Sequence, residues 1–204
     1  MMPSNQAIFI VFEGLDGSGK TACARRTAEL LNAIYIRTPS GALRDHVTNI
    51  IEGFEACQEA AQLLYLASVA HASQQATKAL RAGNSVVLDR YLLSTEIYAA
   101  FRGSTLNLGD SLHALLRPAD ITVFLDAPLG TRVQRIKARD SEIGAADAES
   151  LEESADRQLR QGYLLGLAQP FAGHVLTLDS SRLGINEIAS KVVCAADMLK
   201  REQA

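Results

Sequence analysis

The sequence predicts an α/β fold, a three-layer sandwich in which a five-stranded parallel sheet lies between two layers of helices. Three observations predict it. Strand-length apolar runs alternate with helix-patterned segments along the whole chain. The first run, residues 7–12, is unbroken and rich in Ile, Val and Phe, as in a parallel strand covered on both faces. The 204 residues, 48% apolar and 21% charged, have the balance of an ordinary globular protein, and that length suits one domain spanning residues 1–204.

The elements follow in order. The first strand ends at a glycine-rich turn, and residues 21–32 have helical composition. Residues 33–36 form a short second strand, closed by Arg37-Thr38-Pro39-Ser40-Gly41. A short amphipathic helix over 43–51 and a long Ala-rich helix over 54–81 come next, the latter stopped by Ala82-Gly83-Asn84. A third strand over 85–88 runs into Asp89-Arg90-Tyr91 and a helix over 94–101. A short helix over 111–116, a fourth strand over 121–125 and a basic-faced helix over 130–139 follow. Residues 140–150 hold small and acidic residues with almost no large apolar side chain, so they bury little surface; a mobile lid over about 137–152 is expected there. A helix over 151–167, a fifth strand over 174–178 and a helix over 185–200 close the chain.

Composition excludes several functions. The net charge is −3 with both signs interspersed, so no basic field attracts a nucleic acid or an anionic membrane. Cys23, Cys57 and Cys194 lie far apart without zinc-type spacing and read as reduced thiols. The four histidines, scattered through the chain, are given no role. With a short polar start and no long apolar run, a cytoplasmic protein is expected.

Directly after the first strand stands Gly14-Leu15-Asp16-Gly17-Ser18-Gly19-Lys20-Thr21, which meets the P-loop pattern at every specified position. Glycines let backbone N–H groups curl around phosphate oxygens, and the following helix adds its dipole. Lys20 is suited to the β- and γ-phosphates of ATP, Thr21 to Mg²⁺, and Asp16 to a magnesium-bound water. The fold class narrows to a P-loop NTPase sandwich, although a P-loop names no reaction.

Residues 12–21 together with later segments resemble the thymidylate kinase family. Arg37-Thr38-Pro39-Ser40-Gly41 is similar to its R-E-P-G-G loop, and residues 89–98 are similar to its D-R-[YH]-x-x-S-x-x-x-Y segment. Asp120-Ile121-Thr122, Leu125-Asp126, Arg135-Ile136-Lys137-Ala138-Arg139 and Gly162-Tyr163 also stand in the family's order. The resemblance implies a nucleoside monophosphate kinase using ATP and Mg²⁺, with a mobile lid and a homodimer. The partners it implies are small-molecule nucleotides, and the acceptor is dTMP or a related pyrimidine deoxynucleotide.

By the same resemblance Arg90 grips the acceptor phosphate, for which a guanidinium fork is better shaped than an ammonium. Asp89 and Arg90 also read as a strand-end ion pair. The loop itself carries no arginine, so Arg135 and Arg139, with Arg132 as a third, are candidates to bring charge to the transferred group; a solvated helix face is the other reading. Tyr98 matches the tyrosine beneath the acceptor sugar, and equally suits the core. Tyr65 stands where the family stacks a ring on the base. Val69 stands where it has an arginine reading thymine, and valine cannot donate a hydrogen bond. Base preference therefore passes to Thr95 and Glu96, the latter suiting an amino-bearing or modified pyrimidine. Glu13, Arg37 and Arg44 complete the acceptor side.

An acceptor phosphate is already nucleophilic, so transfer needs alignment and charge neutralisation more than a base. Two rivals stand. A deoxynucleoside kinase on the same fold needs a carboxylate base, for which Glu13 is available. A nucleotide-dependent switch needs no small acceptor, but the chain lacks the guanine-type N-K-x-D segment.

Overall fold

The computed structural model describes residues 6–54, 57–138 and 150–202. Five parallel strands form one sheet: β1 (Phe9–Glu13), β2 (Ile34–Arg37), β3 (Val86–Asp89), β4 (Ile121–Asp126) and β5 (His174–Asp179), in the order β2-β3-β1-β4-β5. In register, Phe12 lies opposite Asp89 on one side and Val123 on the other. The described helices are α1 (Lys20–Leu31), α2 (Gly41–Glu52), α3 (Gln58–Arg81), α4 (Leu92–Phe101), α5 (Gly109–Leu115), α6 (Leu129–Lys137), α7 (Glu153–Leu167) and α8 (Ile185–Glu202). A 3₁₀ turn, Pro170–Ala172, precedes β5.

Each strand type follows from its period. In β1, Ile10 and Phe12, continuing Ile8, pack with Cys23, Ala24 and Ala28 of α1 and Ile188, Val192 and Ala196 of α8. The intervening Phe9 and Val11 face Leu66, Val69 and Ala72 of α3 and Leu92 of α4. A two-sided core of this kind explains the unbroken apolar run.

The expected three-layer α/β sandwich and its five strands are present, and the expected positions differ from the observed ones mainly at element ends. α3 begins at Gln58 rather than residue 54, because Gly53 and Phe54 form a turn. The chain leaves β1 for β2 on one side and leaves β3 for β4 across β1, which opens a crevice beyond the strands' carboxyl ends. Glu13, Arg37, Asp89 and Asp126 end their strands there. The expected lid falls largely on residues 139–149, outside the described residues, as does Arg139.

Candidate active site

The turn after β1 takes a path open to glycine alone. Gly14 has φ 143°, and a Cβ there would lie 2.4 Å from the Leu125 carbonyl oxygen. Gly17 has φ 81°, and its Cβ would lie 2.8 Å from the Arg132 carbonyl oxygen. α1 starts at Lys20 immediately after this turn, so its free N–H groups and dipole face the cradle. Lys20 is buried, and its Nζ donates to the Leu15 carbonyl at 2.7 Å. Burial, and after it the Arg90 cation, lowers the Lys20 ammonium to about 7.

The loop is held from outside by its carbonyl oxygens. Tyr163 donates to Gly14 O at 3.1 Å, Arg132 to Asp16 O at 3.0 Å and the Ser180 hydroxyl to Ser18 O at 2.7 Å. Arg135 reaches Gly17 O and Ser18 O at 3.4 Å each and donates to Ser180 O at 2.6 Å. Arg132 and Arg135, expected to bring charge to the transferred group, here reach the loop's carbonyl oxygens. Both sit on α6 behind the loop, and Arg132 is wholly buried.

Two clefts meet in front of the loop. One is lined by Lys20, Thr21 and the loop glycines together with Arg25 and Arg26. The other lies between α3 and α4, lined by Tyr65 and Ser68 from the first, Ser94, Thr95 and Tyr98 from the second, and Arg102 just past its end. Asp16, Arg37 and Arg90 line both, so they form the shared wall. Among the described residues, the cleft between the helices carries four arginines, Arg37, Arg44, Arg90 and Arg102, and the acid Asp16.

Arg90 takes the left-handed backbone conformation, φ 68°, at the turn from β3 to α4. Its guanidinium pairs with Asp16, reaches Ser94 Oγ at 3.4 Å and lies over the Tyr98 ring at 5.7 Å from the centroid. Burial opposes the charge of Asp16, but Arg90 and then Lys20 outweigh it and hold the carboxyl well below the usual range. Tyr98 donates to Asp16 Oδ2 at 2.8 Å. Asp16 thus stands in the wall shared by the two clefts, paired with Arg90 and Tyr98. It is Asp89 that accepts from Thr21, at 2.6 Å, and also from Tyr35 at 3.1 Å, with Arg37 Nε at 3.5 Å.

Three sequence-derived acceptor residues lie elsewhere. Glu13 is wholly buried and accepts from the backbone N–H groups of Tyr91 and Ser94, at 3.0 and 3.3 Å, and from the Ser94 hydroxyl. It caps α4 from 78 or more residues away, so it is unavailable as a base; burial raises its carboxyl above the ordinary value despite these bonds. Val69 is 1% exposed in the core against β1 and β3, and it is Ser68 beside it that faces the cleft. Burial raises the Glu96 carboxyl above its ordinary value, and Glu96 is not among the residues lining the cleft. Conversely, Ser94 and Arg102 were missed as lining residues, although with Tyr98 they are spaced four apart along α4 and its C-cap, a one-face signal.

The thymidylate kinase family model matches residues 12–192. The chain belongs to the thymidylate kinase family. It is 35% identical to a probable thymidylate kinase of Methanococcus vannielii over 136 residues, covering 66% of this chain and 68% of that protein. It is 32% identical to a thymidylate kinase of Ruegeria pomeroyi over 193 residues, covering 88% and 90%. The solved thymidylate kinase of Candida albicans shares the fold, with a TM-score of 0.69 and 20% identity over 96% of this chain and 94% of that one. As a thymidylate kinase family member the chain is an ATP-dependent nucleoside monophosphate kinase that acts on small nucleotides. Among the described residues, no helix is long and apolar enough to cross a membrane.

Proposed function

We propose that this chain transfers the γ-phosphoryl group of ATP to dTMP or a related pyrimidine deoxynucleoside monophosphate, giving the diphosphate and ADP. The observation that carries this reading is the shared wall: Arg90 and Arg37 line both the P-loop cleft and the α3–α4 cleft. An anion bound on either side meets the same guanidinium groups, the arrangement needed to bring a γ-phosphoryl group and an acceptor phosphate into line. Four arginines suit an acceptor that already bears a phosphate. A nucleoside acceptor needs a free base, and Glu13 is committed to α4.

In this reading Gly14 to Thr21 hold the donor phosphates, and Lys20 turns from Leu15 O toward them. Arg90 holds the acceptor phosphate, Asp16 orients Arg90, and Tyr98 supports Asp16 beneath the sugar. Tyr65, Ser68 and Thr95 form the wall that meets the base. Mg²⁺ fits at Thr21 and Asp89, because Asp89 Oδ1 is buried without a hydrogen-bond partner while Oδ2 holds the Thr21 hydroxyl. Among the described residues no cluster of three or more His, Cys, Asp or Glu forms a cage, which agrees with a cation held by one carboxylate, a hydroxyl and substrate phosphates. Mg²⁺ would neutralise charge on the donor phosphates.

The residue 137–152 lid, a single-domain organisation, a cytoplasmic location and a homodimer belong to the same proposal. The dimer would use α3, whose Leu63, Ala67 and His71 are exposed.

A coupled ADP-release assay comparing dTMP, dCMP and dUMP with the matching nucleosides tests the acceptor. Monophosphates are expected to turn over and nucleosides not; the reverse order would return the deoxynucleoside kinase reading.

A further inference from the structure

A chain of charges behind the P-loop, anchored on the buried Arg132, has a role that the acceptor and donor clefts leave unassigned. Arg132 on α6 is 0% exposed, donates through one guanidinium nitrogen to the Asp16 carbonyl at 3.0 Å, and pairs through the other with Asp156 on α7. Asp156 also accepts from Arg160 Nε at 2.8 Å. Arg160 in turn pairs with Asp126 at the end of β4 and donates to the Ala127 carbonyl at 2.6 Å. The chain therefore runs from a strand end, through two helices, to one backbone oxygen of the phosphate-binding loop.

That oxygen belongs to the peptide joining Asp16 to Gly17. In a planar trans peptide the C=O and N–H point in opposite directions, so whatever pulls the oxygen outward turns the N–H of Gly17 the other way, into the cradle. The approach is also close: a Cβ on Gly17 would lie 3.0 Å from the Arg132 Cα. Such a peptide, left without its outer partner, could rotate and present its oxygen to the phosphates instead, where it would repel them.

We propose that Arg132, fixed by Asp156 and through it by Arg160 and Asp126, is a positioning residue that holds the Asp16–Gly17 peptide with its N–H aimed at the donor polyphosphate. It touches no substrate and acts through the backbone. The inference rests on the reading of the loop as a nucleotide-phosphate site.

A purely structural ion network makes a different forecast, and the two separate cleanly. Replacing a buried ion pair by apolar groups of similar size often preserves stability. The double variant Arg132→Met, Asp156→Leu should therefore stay folded with a melting temperature near that of the wild type, yet bind Mg-ADP about 10-fold or more weakly by calorimetry, for the lost alignment of a charge-facing donor. Wild-type Mg-ADP affinity in a folded double variant overturns the proposal. Should that variant not fold, Arg132→Lys keeps a cation beside Asp156 but loses the two-nitrogen reach, and the same 10-fold weakening is expected; unchanged affinity there overturns it equally. If the wild-type chain itself binds no Mg-ADP, it is the nucleotide reading that fails.

Discussion

Asp89 accepts the hydroxyl proton of Thr21 across 2.6 Å, joining the end of β3 to the first turn of α1. With one oxygen on Thr21 and the other buried and unpaired, this carboxylate is set to share a cation with the hydroxyl. Asp89→Asn should raise the Mg²⁺ concentration for half-maximal rate by about 10-fold or more, with metal-free ADP binding changed far less. A magnesium titration of initial rates reads the effect; an unshifted midpoint removes Asp89 from the metal site.

Arg90, like Arg37, lines both clefts, and its fork is set by Asp16 and Ser94. Arg90→Lys keeps the charge but not the two-pronged geometry, so kcat/KM for the monophosphate should fall by about 100-fold or more, and Mg-ADP affinity, which depends on the same wall, should fall by about 5-fold. Steady-state kinetics together with calorimetry check both halves.

Lys20 gives a pH prediction. Its ammonium is lowered from 10.5 to about 7 by burial and then by Arg90. Between these values the unfolded chain holds a proton that the folded, nucleotide-free chain has released, so this group's contribution makes stability rise as pH increases through that window. Bound polyphosphate favours the charged form again. At pH 8, Mg-ADP binding should take up most of a proton, measured by calorimetry in buffers of unlike ionisation enthalpy. Lys20→Met should bring that uptake close to zero.

Glu13 gives a prediction of opposite slope. Burial is the leading cause that raises its folded pKa above 4.5, so above that value the unfolded chain loses its proton first and the contribution to stability falls as pH rises. Glu13→Gln should flatten this part of the stability profile. Glu13→Ala should destabilise by about 2 kcal/mol or more, since it strips the partner from the buried N–H groups that begin α4. Chemical denaturation across pH 5 to 8 distinguishes the two.

What could be read in advance was whatever depends on neighbours in the chain. The β1 strand, the Gly14 to Thr21 turn and the charge at the β3 end follow from local periodicity and glycine placement, and the structure has all three. What could not be read depends on contacts distant in sequence. Glu13 caps a helix that starts 79 residues later, and nothing near it announces that partner. Arg132 looked like one of several cations on an amphipathic face until Asp156 and the loop carbonyl closed around it. Val69, matched by resemblance to a base-reading position, packs in the core while Ser68 beside it lines the cleft, a difference that helical rotation of roughly 100° per residue produces and that no local pattern announces.

The shared wall also decides where this enzyme can be re-engineered. A change at Arg37 or Arg90 alters the surroundings of both nucleotides at once, so preference for one cannot be adjusted there without disturbing the other. Tyr65 and Ser68 line only the cleft between α3 and α4. Libraries aimed at unnatural bases therefore belong on that helix face, where selection can act on the incoming base while the ATP machinery stays intact.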